Sequence, residues 1–183
     1  MTSASSAAPP SSVVVVMGVA GSGKSSIGAA LAARLGWAFL EGDSLHPPAN
    51  VARMASGLPL TDEDRRGWLA TIGGHIAEAD RVGKGLVVAC SALKRAYRDQ
   101  LAASGPRVVF LHLSGERALI EQRMAARAGH FMPLSLIDSQ FATLEPPGAD
   151  ERAITLPIDM PPEALVDEAA RRLAELEAWE PVQ

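Results

Sequence analysis

The segment from Gly18 to Ser25, which reads GVAGSGKS, constrains this chain more than any other stretch. It fits the pattern G-x-x-x-x-G-K-[ST] and follows the apolar run Val13–Met17, which is typical of a buried strand. Its glycines let the backbone curl so that successive N–H groups face an anion, and a helix beginning near Lys24 adds a positive end. A chance glycine turn would not need a strand before it and a helix after it. We therefore interpret the segment as a P-loop for a nucleoside triphosphate.

The residue types of this loop predict which groups bind the phosphates and which group binds the metal. Lys24 can reach the β- and γ-phosphates, and the Ser25 hydroxyl can hold Mg²⁺. The backbone amides of the loop and of the first helical turn are predicted to bind the remaining phosphate oxygens. The predicted nucleotide-binding residues of this segment are Gly18, Val19, Ala20, Gly21, Ser22, Gly23, Lys24, Ser25 and Ser26.

Composition narrows the class of protein. A chain of 183 residues is most simply one domain, and a net charge of −4 argues against a general nucleic-acid binder. The single cysteine, Cys90, cannot form an internal disulfide, which suits a reducing compartment such as the cytoplasm. No apolar run approaches the roughly 20 residues of a membrane span, so we expect no membrane partner. Residues 1–12 are rich in Ser, Ala and Pro and are predicted to be a disordered tail without a secretory signal, leaving 13–183 as the domain.

Short apolar runs alternate with helical patterns along the whole chain. Five strands interleaved with helices predict an α/β fold of three layers (α/β/α), with a parallel sheet covered on both faces. In such sheets ligands bind at the carboxyl ends of the strands, so the polar segments after the strands are expected to converge on one cleft. The predicted strands are Val13–Met17, Trp37–Glu41, Leu86–Cys90, Arg107–Leu113 and Ala153–Ile158. The predicted helices are Ser25–Leu35, one from Pro47 and Pro48 to about Ser56, one from Thr61 to about Arg81, Lys94–Ala102, Glu116–Ala128, one near Leu134–Leu144, and Pro161–Ala178.

Two acidic residues, Glu41 and Asp43, follow the second predicted strand. Phosphoryl transfer requires that the acceptor hydroxyl be aligned and its proton removed, and Asp43 is the candidate for that task. The alternative is that Asp43 caps a turn and His46 is a surface residue. The position of this segment, directly after a strand and beside a P-loop, favours the functional interpretation.

Basic residues follow the third predicted strand, where Lys94 and Arg98 lie four residues apart. With the amides of a helix N-terminus they would form an anion site for a carboxylate or phosphate, and a solvated basic face is the alternative. The segment Thr61-Asp-Glu-Asp64 is predicted to be a capping box that opens a long helix, and Arg65 and Arg66 lie near its start. They could contact a substrate or balance the acidic first turn.

A second arginine pair, Arg123 and Arg127, lies four apart on a predicted helix just before Gly129. Arginines beside a glycine hinge suit a helical lid over phosphates, which we place at about 123–147. Surface ion pairs with Glu116 or Glu121 are the alternative interpretation.

These stretches together resemble the gluconokinases, the small P-loop type within the shikimate-kinase-like group, from about Val13 to the last helix. The P-loop alone is shared by many families, and the blocks at 42–50, 90–98 and 140–147 are much more diagnostic. The residues that carry the resemblance are Gly18–Ser25, Gly42-Asp43-x-Leu-His46-Pro47-x-x-Asn50, Met54–Gly57, Pro59-Leu60-x-Asp62-x-Asp64-Arg65, Trp68-Leu69, Cys90-Ser-Ala-Leu-Lys94-x-x-Tyr97-Arg98, Gly129-His130-Phe131 and Ser139-Gln140-Phe141-x-x-Leu144-Glu145-x-Pro147.

The resemblance implies a P-loop kinase fold, with ATP and Mg²⁺ used to phosphorylate D-gluconate on its 6-hydroxyl in a cytoplasmic homodimer. It implies three catalytic residues: Lys24 on the phosphates, Asp43 on the 6-hydroxyl, and Arg127, with Arg123 beside it, in the lid over ATP. The gluconate candidates that it implies are Asp43, His46, Arg53, Lys94, Arg98, His130 and Gln140.

Two other functions stay open at the level of sequence. One is a kinase of another small acceptor, such as shikimate, a related sugar acid or a nucleoside monophosphate. The other is a nucleotide-gated switch, although the chain offers acceptor-side polar residues that a switch does not need. Gluconokinases often carry Asp where this chain has Glu41, which makes direct metal contact by Glu41 doubtful.

Overall fold

The structure, a computed structural model, describes residues 12–127 and 133–178. Within these residues, strands and helices alternate as the sequence predicts, and the element bounds differ from the predicted ones by only one or two residues. The strands are β1 Val13–Met17, β2 Ala38–Glu41, β3 Leu86–Ala89, β4 Val108–Ser114 and β5 Ala153–Pro157. The helices are α1 Lys24–Leu35, α2 Pro48–Ala55, α3 Asp62–Arg81, α4 Arg95–Ala102, α5 Arg117–Ala126, α6 Leu134–Thr143 and α7 Pro162–Ala178.

The five strands form one parallel sheet in the order β2-β3-β1-β4-β5. β1 lies at the centre, where Val15 is aligned with Val88 of β3 on one side and Phe110 of β4 on the other. Val14, Val15 and Val16 have no exposed surface, as expected for a β-branched run covered on both faces. The carboxyl end of β1 runs directly into the P-loop, so the loop sits at the middle of the sheet edge where ligands bind.

Alternate side chains of the sheet belong to two separate apolar cores. Val14 and Val16 face a core that includes Leu31 of α1 and Leu173 of α7. Val13, Val15 and Met17 face a second core that includes residues of α3 and α4. The predicted three-layer α/β/α fold of a P-loop kinase is confirmed, because helices cover both faces of a five-stranded parallel sheet.

The start of α3 is the predicted capping box. The Thr61 hydroxyl accepts from the Asp64 amide at 3.2 Å, and the Asp64 carboxylate accepts from the Thr61 amide at 2.8 Å. One short element was not predicted, a 3-10 helix over Gly42–Leu45 that carries Asp43. Ser12, which the sequence assigned to the tail, is buried, and its carbonyl accepts from the Leu86 amide.

Candidate active site

The P-loop has the backbone shape that its glycines predict. Gly18 and Gly23 adopt φ angles of +146° and +94°, which residues with a side chain rarely adopt. A Cβ at Gly18 would lie 2.8 Å from the Leu113 carbonyl oxygen and 2.8 Å from the Ser22 hydroxyl. The hydroxyl of Ser22 is buried and has no hydrogen-bond partner among the described residues. The loop is thus a close-fitting backbone cradle with an unsatisfied polar atom beneath it, which fits a phosphate ligand.

Lys24 folds back over this cradle, and its ammonium donates to the Val19 carbonyl at 3.0 Å. Burial lowers the pKa of Lys24, and the neighbouring carboxylate of Asp43 acts in the opposite direction. No carboxylate of the described residues forms a hydrogen bond with this ammonium, so a ligand that brings negative charge would stabilise it.

A cleft of about 310 Å³ joins the P-loop to the polar segments that follow β2 and β3. Its walls combine P-loop residues with side chains from the 3-10 helix, α2, α3, α5 and α6. It is lined by Ala20, Gly21, Gly23, Lys24, Ser25, Asp43, His46, Met54, Leu60, Arg65, Trp68, Ser91, Met124, Arg127 and Gln140. The predicted convergence of the strand-end segments therefore holds for the segments after β1, β2 and β3.

Asp43 lies in the first turn of the 3-10 helix, and its side chain is 68% exposed. The turn is held from two sides: the Glu41 carboxylate accepts from the Asp43 amide at 3.4 Å, and the Trp68 indole N–H donates to the Gly42 carbonyl at 2.7 Å. Glu41 therefore stabilises the backbone turn that carries Asp43. Its carboxylate is the N-cap of the turn, a role that the sequence did not suggest.

His46 stacks on Trp68, with ring centroids 4.0 Å apart and planes inclined by 20°. Its Nδ1 lies 3.4 Å from the side-chain nitrogen of Asn50, and its Nε2 lies 3.8 Å from an Asp43 carboxylate oxygen. Since the Asn50 nitrogen is a donor, Nδ1 accepts and Nε2 carries the proton. Burial lowers the pKa of His46, which agrees with a neutral ring directed at Asp43.

Arg65 is the acceptor-side cation that the sequence left undecided. Its guanidinium donates to the Leu60 carbonyl at 2.5 Å and to the Tyr97 hydroxyl at 3.4 Å. It lines the cleft and, among the described residues, forms no ion pair with a carboxylate. Its place in the first turn of the Thr61-capped helix, next to the resemblance block at 59–65, is the signal that could have singled it out.

The predicted anion site at Lys94 and Arg98 does not form. The Lys94 ammonium donates to both carboxylate oxygens of Asp62, at 2.9 and 3.1 Å, and Asp62 also accepts from the Tyr97 hydroxyl. These hydrogen bonds, from Tyr97 first and Lys94 second, lower the pKa of Asp62. Lys94 thus holds a carboxylate of its own chain outside the wall of the cleft.

The structure does not bring Arg98, predicted to bind the substrate, to the wall of the cleft. Only 1% of its side chain is exposed, and its Nε and Nη2 donate to Glu151 at 2.6 and 2.9 Å. Arg53 also lies away from the cleft wall, because its Nε donates to the Pro59 carbonyl at 2.8 Å and lies 3.4 Å from Asp64. Both cations are used to hold the chain's own segments together.

The residues predicted for the lid have different positions. Arg127 lines the cleft, whereas the Arg123 guanidinium donates to the Ile158 carbonyl after β5 at 2.5 Å. Gln140, predicted to bind gluconate, accepts from the Ala20 amide of the P-loop at 2.6 Å. It therefore contacts the nucleotide side of the cleft. His130 lies outside the described residues.

The site also fits Mg²⁺ in the manner that this ion prefers. Mg²⁺ keeps several waters and is held by one or two protein oxygens together with substrate phosphates, not by a complete protein cage. Ser25 and Asp43 both line the cleft beside the P-loop. Among the described residues no group of three or more His, Cys, Asp or Glu side chains could hold a metal ion. The described part of the chain contains no helix that is both long and apolar enough to cross a membrane.

Comparisons with known proteins agree with this geometry. A sequence model described as an AAA domain matches residues 13–147. A gluconokinase of Gluconobacter oxydans is 48% identical over 158 residues, covering 86% of this chain and 89% of that protein. The thermoresistant gluconokinase of Escherichia coli is 44% identical over 155 residues, covering 84% and 89%. The crystal structure of a gluconokinase from Sinorhizobium meliloti superposes with a TM-score of 0.85 at 47% identity, covering 93% of this chain and 95% of that one. The chain therefore belongs to the gluconokinase family.

Proposed function

We propose that this protein transfers the γ-phosphoryl group of ATP to the 6-hydroxyl of D-gluconate, producing 6-phospho-D-gluconate. The observation that carries the proposal is a cleft in which a P-loop faces Asp43 and the cation Arg65, which has no carboxylate partner within the part of the chain that the structure describes. Gluconate is an anionic polyol, so it needs a base for one hydroxyl, hydrogen-bonding groups for the others and positive charge for its carboxylate.

The donor half of the cleft supports binding and charge stabilisation. The P-loop amides and Lys24 would hold the β- and γ-phosphates, and Arg127 would bring positive charge to the transferred group. Arg123 would add positive charge beside Arg127, while its guanidinium donates to the Ile158 carbonyl in the segment after β5. Gln140 fixes the Ala20 amide, which lies in the turn that would face the γ-phosphate.

The metal fits the same half of the cleft. We propose that Ser25 holds Mg²⁺ together with the phosphates of ATP and that Asp43 remains available to the acceptor. When bound, the ion would neutralise charge that develops on the transferred phosphate. Burial lowers the pKa of Lys24, and a phosphate bound beside the ammonium would favour its charged form.

In the acceptor half, Asp43 would orient the 6-hydroxyl and accept its proton. The side chain of Asp43 is open to the cleft, and its backbone is held by Glu41 and by Trp68 through Gly42. The neutral Nε2–H of His46 points toward the same carboxylate from 3.8 Å. His46 and Arg65 are the side chains that we propose for gluconate, and His130 stays a prediction.

A coupled assay of ADP release with a panel of acceptors tests this function. Gluconate is expected to support turnover, whereas shikimate, other aldonates and AMP are expected to remain near the background rate. A protein that hydrolyses ATP at the same rate with and without gluconate would refute the proposal. Turnover with AMP or shikimate instead of gluconate would show that the site accepts another class of substrate.

The variant Asp43→Asn tests the assignment of the base. We expect ATP binding to be retained and kcat to fall by about 10²-fold or more, because the amide cannot accept the proton. Asp167→Asn is a matched control, since Asp167 is an exposed carboxylate on α7 paired with Arg34. Normal turnover in the Asp43 variant would remove this residue from the role.

We further propose that the protein acts as a cytoplasmic homodimer. The family resemblance supports the dimer, and the single cysteine, which is buried, supports a reducing compartment. Light scattering coupled to size-exclusion chromatography measures the mass directly. A monomeric mass at concentrations where the enzyme is fully active would contradict the dimer.

A further inference from the structure

An ion pair whose side chains are almost completely buried joins α4 to the segment before β5. Arg98 on α4 and Glu151, just before β5, are 1% and 6% exposed in their side chains. Their contact is bidentate, and Glu151 also accepts from the Gly148 amide at 3.0 Å. Hydrogen bonds from Arg98 lower the pKa of Glu151, so the pair is ionised. A buried ion pair of this kind often adds little to the stability of a fold, because removing both charges from water is costly. Another role for the pair is therefore worth considering.

The third guanidinium nitrogen of Arg98 binds the backbone of a neighbouring loop. Its Nη1 donates to the carbonyls of Ala92 and Leu93, at 3.0 and 3.2 Å, in the loop between β3 and α4. Among the described residues, Ala92 is the one non-glycine residue with a positive φ, at +44°. A side chain in this left-handed region costs free energy, so the surrounding contacts must hold the backbone there. Arg98 supplies two such contacts, and the Glu145 amide adds a third to the Leu93 carbonyl at 2.8 Å.

The residue before Ala92 belongs to the cleft. Ser91 lines the cleft, and its carbonyl accepts from the Gly18 amide at the start of the P-loop, at 3.3 Å. The strained turn at Ala92 therefore sets where this wall stands relative to the phosphate cradle. Among the described residues Arg98 is not part of the cleft lining and forms no hydrogen bond with the P-loop, so its effect on the cleft must pass through the loop between β3 and α4.

We propose that Arg98 is a positioning residue: with Glu151 as its counter-ion, it holds Ala92 in the left-handed conformation and thereby fixes Ser91 in the wall of the cleft, where gluconate would contact it. Only a guanidinium has enough donors to bind Glu151 twice and two carbonyls at once. This inference rests on the proposed gluconate phosphorylation and goes beyond it, because it assigns acceptor affinity to a buried group outside the site.

The variant Arg98→Lys tests the inference, because lysine keeps the charge but offers a single nitrogen. We expect the KM for gluconate to rise about tenfold or more, with kcat and the KM for ATP changing less than about threefold. Arg81→Lys is the matched control, since Arg81 is an exposed arginine at the end of α3 whose Nε and Nη2 bind the two carboxylate oxygens of Glu78 in the same bidentate manner. If Arg98→Lys does not fold, Glu151→Gln takes its place with the same readout.

A second substitution separates positioning from general stability. Glycine adopts a positive φ without strain, so adding Ala92→Gly to Arg98→Lys is expected to lower the KM for gluconate again while the Tm stays low. An unchanged KM in the single variant, an equal rise for ATP and gluconate, or a double variant without recovery would each overturn the inference. Absence of gluconate turnover in the unsubstituted protein would instead refute the proposed function, and the KM ratios would then be measured with the acceptor that is active.

Discussion

Replacing Trp68 with phenylalanine removes one hydrogen bond that supports the acceptor side of the cleft. Trp68 is 1% exposed, and its indole N–H donates to the Gly42 carbonyl at 2.7 Å. The same ring stacks on His46. Gly42 precedes Asp43, so the bond holds the turn that carries the proposed base. Trp68→Phe keeps an aromatic ring in the core but deletes the donor.

The structure allows the size of this effect to be worked out. A buried carbonyl that loses its donor costs about 1–3 kcal/mol. The smaller ring also leaves unfilled space, which we take as about 1 kcal/mol for a partial truncation in a packed core. The sum predicts a loss of about 2–4 kcal/mol in the free energy of unfolding, or about 4–16 °C in Tm for a chain of this size.

Trp37→Phe is the matched control. Trp37 is partly buried against the other core, and within the described residues its indole forms no hydrogen bond. Both variants shrink an indole to a phenyl ring, so the difference between them isolates the bond to Gly42. Urea unfolding followed by circular dichroism gives the free energies, and steady-state ADP release gives kcat.

We expect Trp68→Phe to lose about 1–3 kcal/mol more than Trp37→Phe. We also expect its kcat to fall about tenfold, because Asp43 loses its fixed position, while Trp37→Phe keeps its kcat. Equal losses of stability in the two variants, together with an unchanged kcat for Trp68→Phe, would refute the reasoning that the indole supports Asp43.

Three further predictions concern other contacts of the same structure. Gln140→Met removes the oxygen that accepts the hydrogen bond of the Ala20 amide, and it is expected to raise the KM for ATP about tenfold without changing the KM for gluconate. A rise in the KM for gluconate alone would show that Gln140 contacts gluconate instead. Burial lowers the pKa of both His46 and His112, so their contribution to stability is complete above about pH 6.5 and is lost as the pH falls through the lower folded values. Urea unfolding between about pH 5 and 8 should show this loss, and it should be smaller when both are glutamine. Gly42→Ala would place a Cβ 2.3 Å from a backbone oxygen of β3 and is expected to cost about 1–3 kcal/mol in unfolding, whereas an unchanged Tm would contradict the close packing there.

The sequence predicted the order and type of every strand and of the seven helices that the described residues form. This was possible because each element carries its own local signal: the valine run of β1, the Thr61 capping box of α3, and Gly36 after α1, which adopts the left-handed conformation as its C-cap. The short 3-10 helix at Gly42–Leu45 lacked such a signal, since Glu41 caps it through its own side chain and Trp68 holds it from 26 residues away.

Only the part of the cleft that is formed by neighbouring residues in the sequence could be predicted. The P-loop is contiguous in sequence, so its glycines and Lys24 could be interpreted without tertiary information. The basic residues were harder, because the position of a cation on a helix does not reveal which carboxylate lies opposite. Lys94, Arg53 and Arg98 each pair with an acidic residue of another segment, whereas Arg65 pairs with no carboxylate in residues 12–127 and 133–178.

The sequence by itself therefore determined the phosphate cradle, the alternation of strands and helices, and the place of Asp43 at a strand end. All of these depend on residues close together along the chain, where spacing and backbone preference decide the geometry. Only the tertiary structure decided which charges remain available to a ligand and which are used internally. That choice depends on partners far apart in sequence, such as Lys94 with Asp62 at 32 residues and Arg98 with Glu151 at 53, which meet only when the sheet and its helices are packed.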